Sequence, residues 1–173
     1  VLSQMREPKL VVADTMDIWI TDHRDSLLEL LKQIDGLVLN DSEAKLLTGE
    51  ENLVMAGRKV LEYGVRFCVI KKGEHGALLF FENEIFYAPA LPLKAVFDPT
   101  GAGDTFAGGF AGFLAQTEDF SFDNLKRAVI YGSALASFCV EKFGTERMLN
   151  LDKKEINDRI LQFKNLTQFD LSK

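Results

Sequence analysis

The 173 residues are 47% apolar and 27% charged, with a formal net charge of −6, enough for one domain over 1–173 with its own core. The acidic balance, and the lack of any run of five Lys or Arg, exclude a phosphate-backbone partner such as nucleic acid.

Arg6, Glu7, Lys9, Asp14 and Asp17 break up the first twenty residues, which excludes a signal peptide at this start, and no uncharged stretch is long enough for a bilayer. No membrane partner is expected. The chain opens on Val1, and the charged segment Gln4 to Lys9 runs straight into Leu10-Val11-Val12-Ala13; the sequence is expected to be cut from a longer protein.

Leu10 to Ala13 predicts a strand, and Asp14-Thr15-Met16-Asp17 follows at its carboxyl end, the usual ligand side of a parallel sheet. A phosphate-side role and a helix lead-in both stay open there. Leu27, Leu28, Leu30, Leu31 and Ile34 place one apolar face on a helix over His23 to Ile34. Leu37 to Leu39 predicts a second strand; helices follow over Asp41 to Leu47, ended by Gly49, and Val54 to Tyr63, closed by Gly64. Phe67 to Lys72 is a third strand, Gly73 to Gly76 a turn, and Ala77 to Phe81 and Ile85 to Tyr87 flank a turn at Glu82 to Glu84. After Pro89 and Pro92 the pattern is helical: Gly103 to Gln116, Phe122 to Phe143 and Lys153 to Phe163. Such an order predicts an α/β/α layered sheet, mainly parallel with an antiparallel edge hairpin.

Cys68 and Cys139 stand far apart in apolar runs, where buried reduced thiols are the rule, and this favours a cytoplasmic protein. His23 and His75 are the only histidines and have no cysteine nearby, which argues against zinc and against Ser-His catalysis.

Asp98-Pro99-Thr100-Gly101-Ala102-Gly103-Asp104-Thr105-Phe106 places small residues directly before a helix. Gly101 and Gly103 let the backbone turn and present successive N–H groups, and the helix adds its positive dipole end, so an anion fits there. Asp104 in the first turn would repel that anion. The conflict resolves if its carboxylate takes a proton from a hydroxyl attacking a phosphoryl group. A plain turn with a helix-starting acid is the competing account of a lone Gly-x-Gly-Asp. The Gly-Lys-Ser/Thr of a Walker loop is absent, and Phe106 stands where a dinucleotide fingerprint needs a small residue, which weakens an oxidoreductase reading. Gly108, Gly109 and Gly112, beside Phe106, Phe110 and Phe113, predict close packing on the small-residue stretch Gly132 to Ser137.

Asp98 to Phe110 resembles the signature of the ribokinase, or PfkB carbohydrate kinase, family. The resemblance implies a three-layer α/β/α ribokinase-like fold and matches the family's C-terminal portion, without the N-terminal segment and lid that grip the sugar. It implies Asp104 as catalytic base and Gly101, Ala102 and Gly103 as the anion hole. Asn40-Asp41-Ser42-Glu43 resembles the family's Asn-x-x-Glu motif, with Asn40 and Glu43 serving Mg²⁺ and the phosphates, though the same four residues make a helix capping box. Lys71-Lys72-Gly73-Glu74-His75-Gly76 resembles the family's nucleotide loop, while a plain hairpin turn satisfies the same residues. Asp98 and Thr100, with Cys139, Lys142 and Gly144, match a monovalent cation (K⁺) site, although Met148 stands where ribokinase has a serine. Gly132 falls where an asparagine often lines the adenine pocket. The implied function is ATP-dependent phosphorylation of a sugar or nucleoside hydroxyl; the alternative is a nucleotide-binding pseudokinase or regulatory domain. A homodimer is kept open, and the acceptor is not specified.

Overall fold

The computed structural model describes residues 2–170. In chain order the elements are β1 (Val12–Asp14), α1 (Asp17–Thr21), α2 (Arg24–Leu31), β2 (Gly36–Asn40), α3 (Asp41–Thr48), α4 (Leu53–Glu62) and β3 (Phe67–Lys71). Then come β4 (Ala77–Phe81), β5 (Glu84–Ala88), α5 (Ala102–Thr117), α6 (Phe122–Cys139) and α7 (Lys153–Thr167). Single 3₁₀ turns lie at Leu2–Gln4, Gly73–His75 and Met148–Asn150. The chain divides into two compact units, Val1–Lys72 with Leu78–Phe86, and Gly73–Ala77 with Tyr87–Lys173.

The first unit is built on a sheet of order β1-β2-β3-β4-β5. β1 pairs with β2 and β2 with β3 in parallel, with Asp14 opposite Val38 and Asn40 opposite Lys71. Two residues, Glu82 and Asn83, join β4 to β5, a connection only an antiparallel pair can use. Leu37, Val38, Leu39, Cys68, Val69 and Ile70 are all fully buried, the continuous apolar run expected of strands covered on both faces. Leu31, Leu47, Val60 and Phe80 pack into the same core, and each large buried side chain contributes roughly 1.5–3 kcal/mol. Gly36 is forced by close approach: a Cβ there would fall 2.2 Å from the Phe67 ring.

In the first unit several elements depart from the sequence pattern. β1 starts at Val12, not Leu10, because the Val11 N–H is taken by the Asp35 carboxylate at 2.8 Å. α1 has no counterpart in the pattern: it is five residues long and its N-cap, Met16, has no side-chain capping bond. α2 stops at Leu31, where Gln33 N–H turns back onto the Leu30 carbonyl, so Ile34 lies beyond the helix.

In the second unit α5 and α6 approach closely. A Cβ on Gly109 would meet Leu135 Cδ1 at 2.8 Å and Gly132 Cα at 3.2 Å, and one on Gly132 would meet the Phe106 carbonyl oxygen at 2.7 Å. The packing expected of the glycine stripe is therefore made by Gly109, while Gly108 and Gly112 meet nothing within 4 Å. Phe106, Phe110, Leu114, Leu125, Val129 and Phe163 are buried. α6 ends at Cys139, four residues before the expected Phe143, where Glu141 N–H tightens onto the Phe138 carbonyl. α7 runs on past Phe163 to Thr167.

Candidate active site

β1, β2 and β3 end at one edge of the first unit's sheet, and their last residues are Asp14, Asn40 and Lys71. Lys71 Nζ reaches across to Asp14 Oδ2 at 2.9 Å, with the lysine side chain only 18% exposed. Asn40 and Glu43 form a complete capping box: the Asn40 N–H donates to Glu43 Oε2 at 2.7 Å, and the Glu43 N–H to Asn40 Oδ1 at 2.8 Å. Glu43 is 8% exposed. Burial pushes its carboxyl above the usual carboxylate range, the Asn40 N–H and Lys71 pull it down, and Asp14 and Asp17 push it up.

Three acids sharing one lysine leave this edge net negative, and an all-oxygen donor set suits a hard divalent cation. Among the described residues, no group of three or more His, Cys, Asp or Glu could hold a metal ion, so Mg²⁺ would keep waters and phosphate oxygens as most of its shell. Lys72 directly follows β3 and is half-buried.

In the second unit Gly73–His75 forms the 3₁₀ turn of the expected nucleotide loop, with Gly73 and Gly76 at φ 53° and 88°. A Cβ on Gly76 would lie 2.0 Å from the Ala88 carbonyl oxygen. The Tyr87 hydroxyl donates to the His75 carbonyl at 2.9 Å.

Gly101, at φ 79°, caps the start of α5. The Ala102 N–H is spent on the Pro99 carbonyl at 3.1 Å and the Thr105 N–H on the Gly101 carbonyl at 2.9 Å. Between them the Gly103 and Asp104 amides have no backbone partner among the described residues, at the positive end of a 16-residue helix. Asp104 is exposed in that first turn.

Asp98 accepts the Thr100 N–H at 3.0 Å. The Thr100 N–H, then the Thr100 hydroxyl, hold its carboxyl below the usual range, and the Gly144 N–H adds to this. Cys139 Sγ lies 3.8 Å from the Thr100 carbonyl, and Phe97 N–H donates to the Val140 carbonyl at 2.8 Å. Asp98, Thr100, Cys139 and Gly144 are thus brought together. Lys142 is exposed, and Met148 opens the 3₁₀ turn Met148–Asn150. Gly132 is buried against Phe106, so helix packing accounts for its size.

Two features escaped the sequence reading. One is the Lys71–Asp14 ion pair, joined across 57 positions. The other is a set of ion pairs, Arg147 with Glu141 and Glu155 and Arg159 with Glu141, whose separations of 6, 8 and 18 positions fall on no single helix face.

Residues 4–152 match the pfkB family carbohydrate kinase description. A cytidine kinase of Thermococcus kodakarensis is 40% identical over 89 residues, 50% of this chain and 32% of its own. A ribokinase of Staphylococcus aureus is 32% identical over 134 residues, 75% of this chain and 42% of its own. An Escherichia coli protein described as a ribokinase II, solved with ATP and Mg²⁺, superposes with a TM-score of 0.68 at 28% identity, covering 84% of this chain and 45% of that one. The chain therefore spans less than half the length of these relatives, and the likeness extends to the ribokinase-like fold itself.

Proposed function

This chain belongs to the pfkB family of carbohydrate kinases, and from that premise we propose that it supplies the nucleotide side and the catalytic base of an enzyme phosphorylating a sugar or nucleoside hydroxyl with ATP. The observation that carries the reading is local: an exposed carboxylate, Asp104, sits in the same turn as two backbone amides, Gly103 and Asp104, that have no backbone partner among the described residues.

Asp104 takes the acceptor hydroxyl's proton as that oxygen attacks the terminal phosphorus. The bond from phosphorus to the bridging oxygen breaks and ADP leaves with that electron pair. The Gly103 and Asp104 amides, with the turn set by Gly101 and Ala102, stabilise charge on the transferred group. Lys71, Lys72, Gly73, Gly76 and Gly132 are the proposed nucleotide-binding residues. Asn40 and Glu43 would hold Mg²⁺ through its waters, and the ion would supply neutralisation of the phosphate charge. Asp98 and Thr100, with the backbone of Cys139, Lys142 and Gly144, are the proposed seat of a monovalent cation such as K⁺. The gathered Asp98–Gly144 corner supports that reading.

Likeness to a cytidine kinase and a ribokinase points to an acceptor bearing a ribose-like sugar. A cytoplasmic setting is proposed with it: Cys68 and Cys139 are free and buried, and no helix among the described residues is long and apolar enough to cross a membrane. A homodimer is the proposed assembly of the chain taken by itself.

The test is ATP turnover by the intact protein across a panel of sugars and nucleosides with Mg²⁺. Acceptor-dependent ADP release with a phosphorylated product supports the proposal; nucleotide binding without turnover on any acceptor would establish the pseudokinase instead.

A further inference from the structure

We infer that Arg159, far along the chain from the signature segment, is a positioning residue for the anion hole at the start of α5; the inference rests on the kinase reading above. Arg159 Nη1 donates to Ser137 Oγ at 2.9 Å and Nη2 to Glu141 Oε1 at 2.6 Å. Its guanidinium lies 3.8 Å from the centre of the Phe138 ring, and that of Arg147 lies 4.9 Å from the same centre. Arg147 Nε donates to the other oxygen of Glu141, Oε2, at 3.3 Å, and its Nη2 to Glu155. The side chains of Arg159, Arg147 and Glu141 are only 12%, 20% and 28% exposed. Charges drawn this far from water persist only when paired, and removing one partner strands the other.

What the brace holds is the segment 140–147 that leaves α6. Glu141 and Arg147 belong to that segment, whereas Ser137 and Phe138 lie on α6 and Glu155 and Arg159 on α7. The same segment carries the Val140 carbonyl that takes the Phe97 N–H, and Gly144, whose backbone helps lower the Asp98 carboxyl. Cys139, just before it, contacts the Thr100 carbonyl. Residues 97–100 run directly into Gly101, whose left-handed backbone sets the Gly103 and Asp104 amides. Loss of Arg159 leaves Glu141 with one cation instead of two and leaves the segment tied to α7 through the Arg147–Glu155 pair, a looser hold whose displacement passes through Asp98 and Thr100 to the amides. No reacting atom is touched.

The experiment compares Arg159→Met and Arg159→Lys with the parent in the intact protein, by steady-state kinetics and by amide hydrogen exchange. A core variant, Leu125→Ala, serves as a control for lost stability, and Asp104→Asn is assayed beside them. Arg159→Met is expected to lower kcat by about 10- to 100-fold, the range for a small misplacement of catalytic groups, with the ATP KM changed by less than about threefold. Exchange at the Phe97 and Gly144 amides should quicken, and Arg159→Lys, which keeps the charge on Glu141, should recover part of both effects. Unchanged kcat and unchanged exchange in folded Arg159→Met overturns the inference. So does a kcat loss matched by Leu125→Ala at equal Tm, which would make the brace a matter of stability alone. If Arg159→Met fails to fold, Arg159→Lys decides alone: parent-like exchange at Phe97 and Gly144 refutes the positioning role. Full turnover by Asp104→Asn would instead show that the kinase reading itself has failed.

Discussion

Glu43 gives one carboxylate oxygen to the Asn40 amide while it stands nearly out of water beside Lys71, Asp14 and Asp17. Because burial raises its folded pKa above the model-peptide value, the folded state binds the proton more tightly than the unfolded chain does. The group's contribution to stability is therefore best at low pH and is lost as pH rises from 4.5 through the folded pKa. Glutamine keeps the capping box without the charge, so Glu43→Gln should gain thermal stability relative to the parent across that window, read as a Tm difference that widens with pH. The same variant should need more Mg²⁺ for half-maximal turnover, whereas a role confined to capping leaves that titration unmoved. At Gly103, valine would put a side chain among the amides proposed to face the phosphoryl group. The expected result for Gly103→Val is a folded protein with turnover reduced at least about 100-fold, in line with removal of an oxyanion donor. A folded, fully active Gly103→Val would remove the amides from the mechanism. Neither the pairing of Asp14 with Lys71 nor the burial of Glu43 was legible in the sequence, since both depend on which strand ends stand side by side.

Helix α5 separates two uses of glycine that look identical in the sequence. Gly132 on α6 faces the Phe106 carbonyl, with 2.7 Å left for a Cβ, and Gly108 on α5 faces nothing within 4 Å. Gly132→Ala gains roughly 1 kcal/mol of helix propensity but must push two backbones apart, which costs about 1–3 kcal/mol. We expect a net loss in a chemical denaturation series. Gly108→Ala should gain up to about 1 kcal/mol. Equal effects at the two sites would contradict the close α5/α6 approach. The buried strands β2 and β3 were legible because continuous apolar runs leave them no solvated face. α1 was not, because five residues give no helical period, and the end of α6 was overrun because Phe143, 75% exposed, reads as apolar wherever it points.

On the scale of the whole molecule, β1 stands at the end of the sheet order and, among the described residues, pairs only with β2. An unpaired strand edge is a template for another chain, so residues 1–173 taken alone should sediment as concentration-dependent oligomers; a single monomer boundary at all concentrations would contradict this. The signature Asp98 to Phe110 made the family legible, because its glycines, its acid and the helix after them answer one chemical need. The division into two units was not legible, since no linker composition marks it. The acceptor was not legible either, since the chain spans 42% of the ribokinase it resembles. The central proposal is that Asp104 takes the acceptor's proton. Steady-state turnover of Asp104→Asn in the intact protein tests it: kcat should fall by about 10²- to 10⁴-fold, the range for a lost general base, with nucleotide affinity nearly unchanged. Turnover within a factor of about two of the parent would contradict the account.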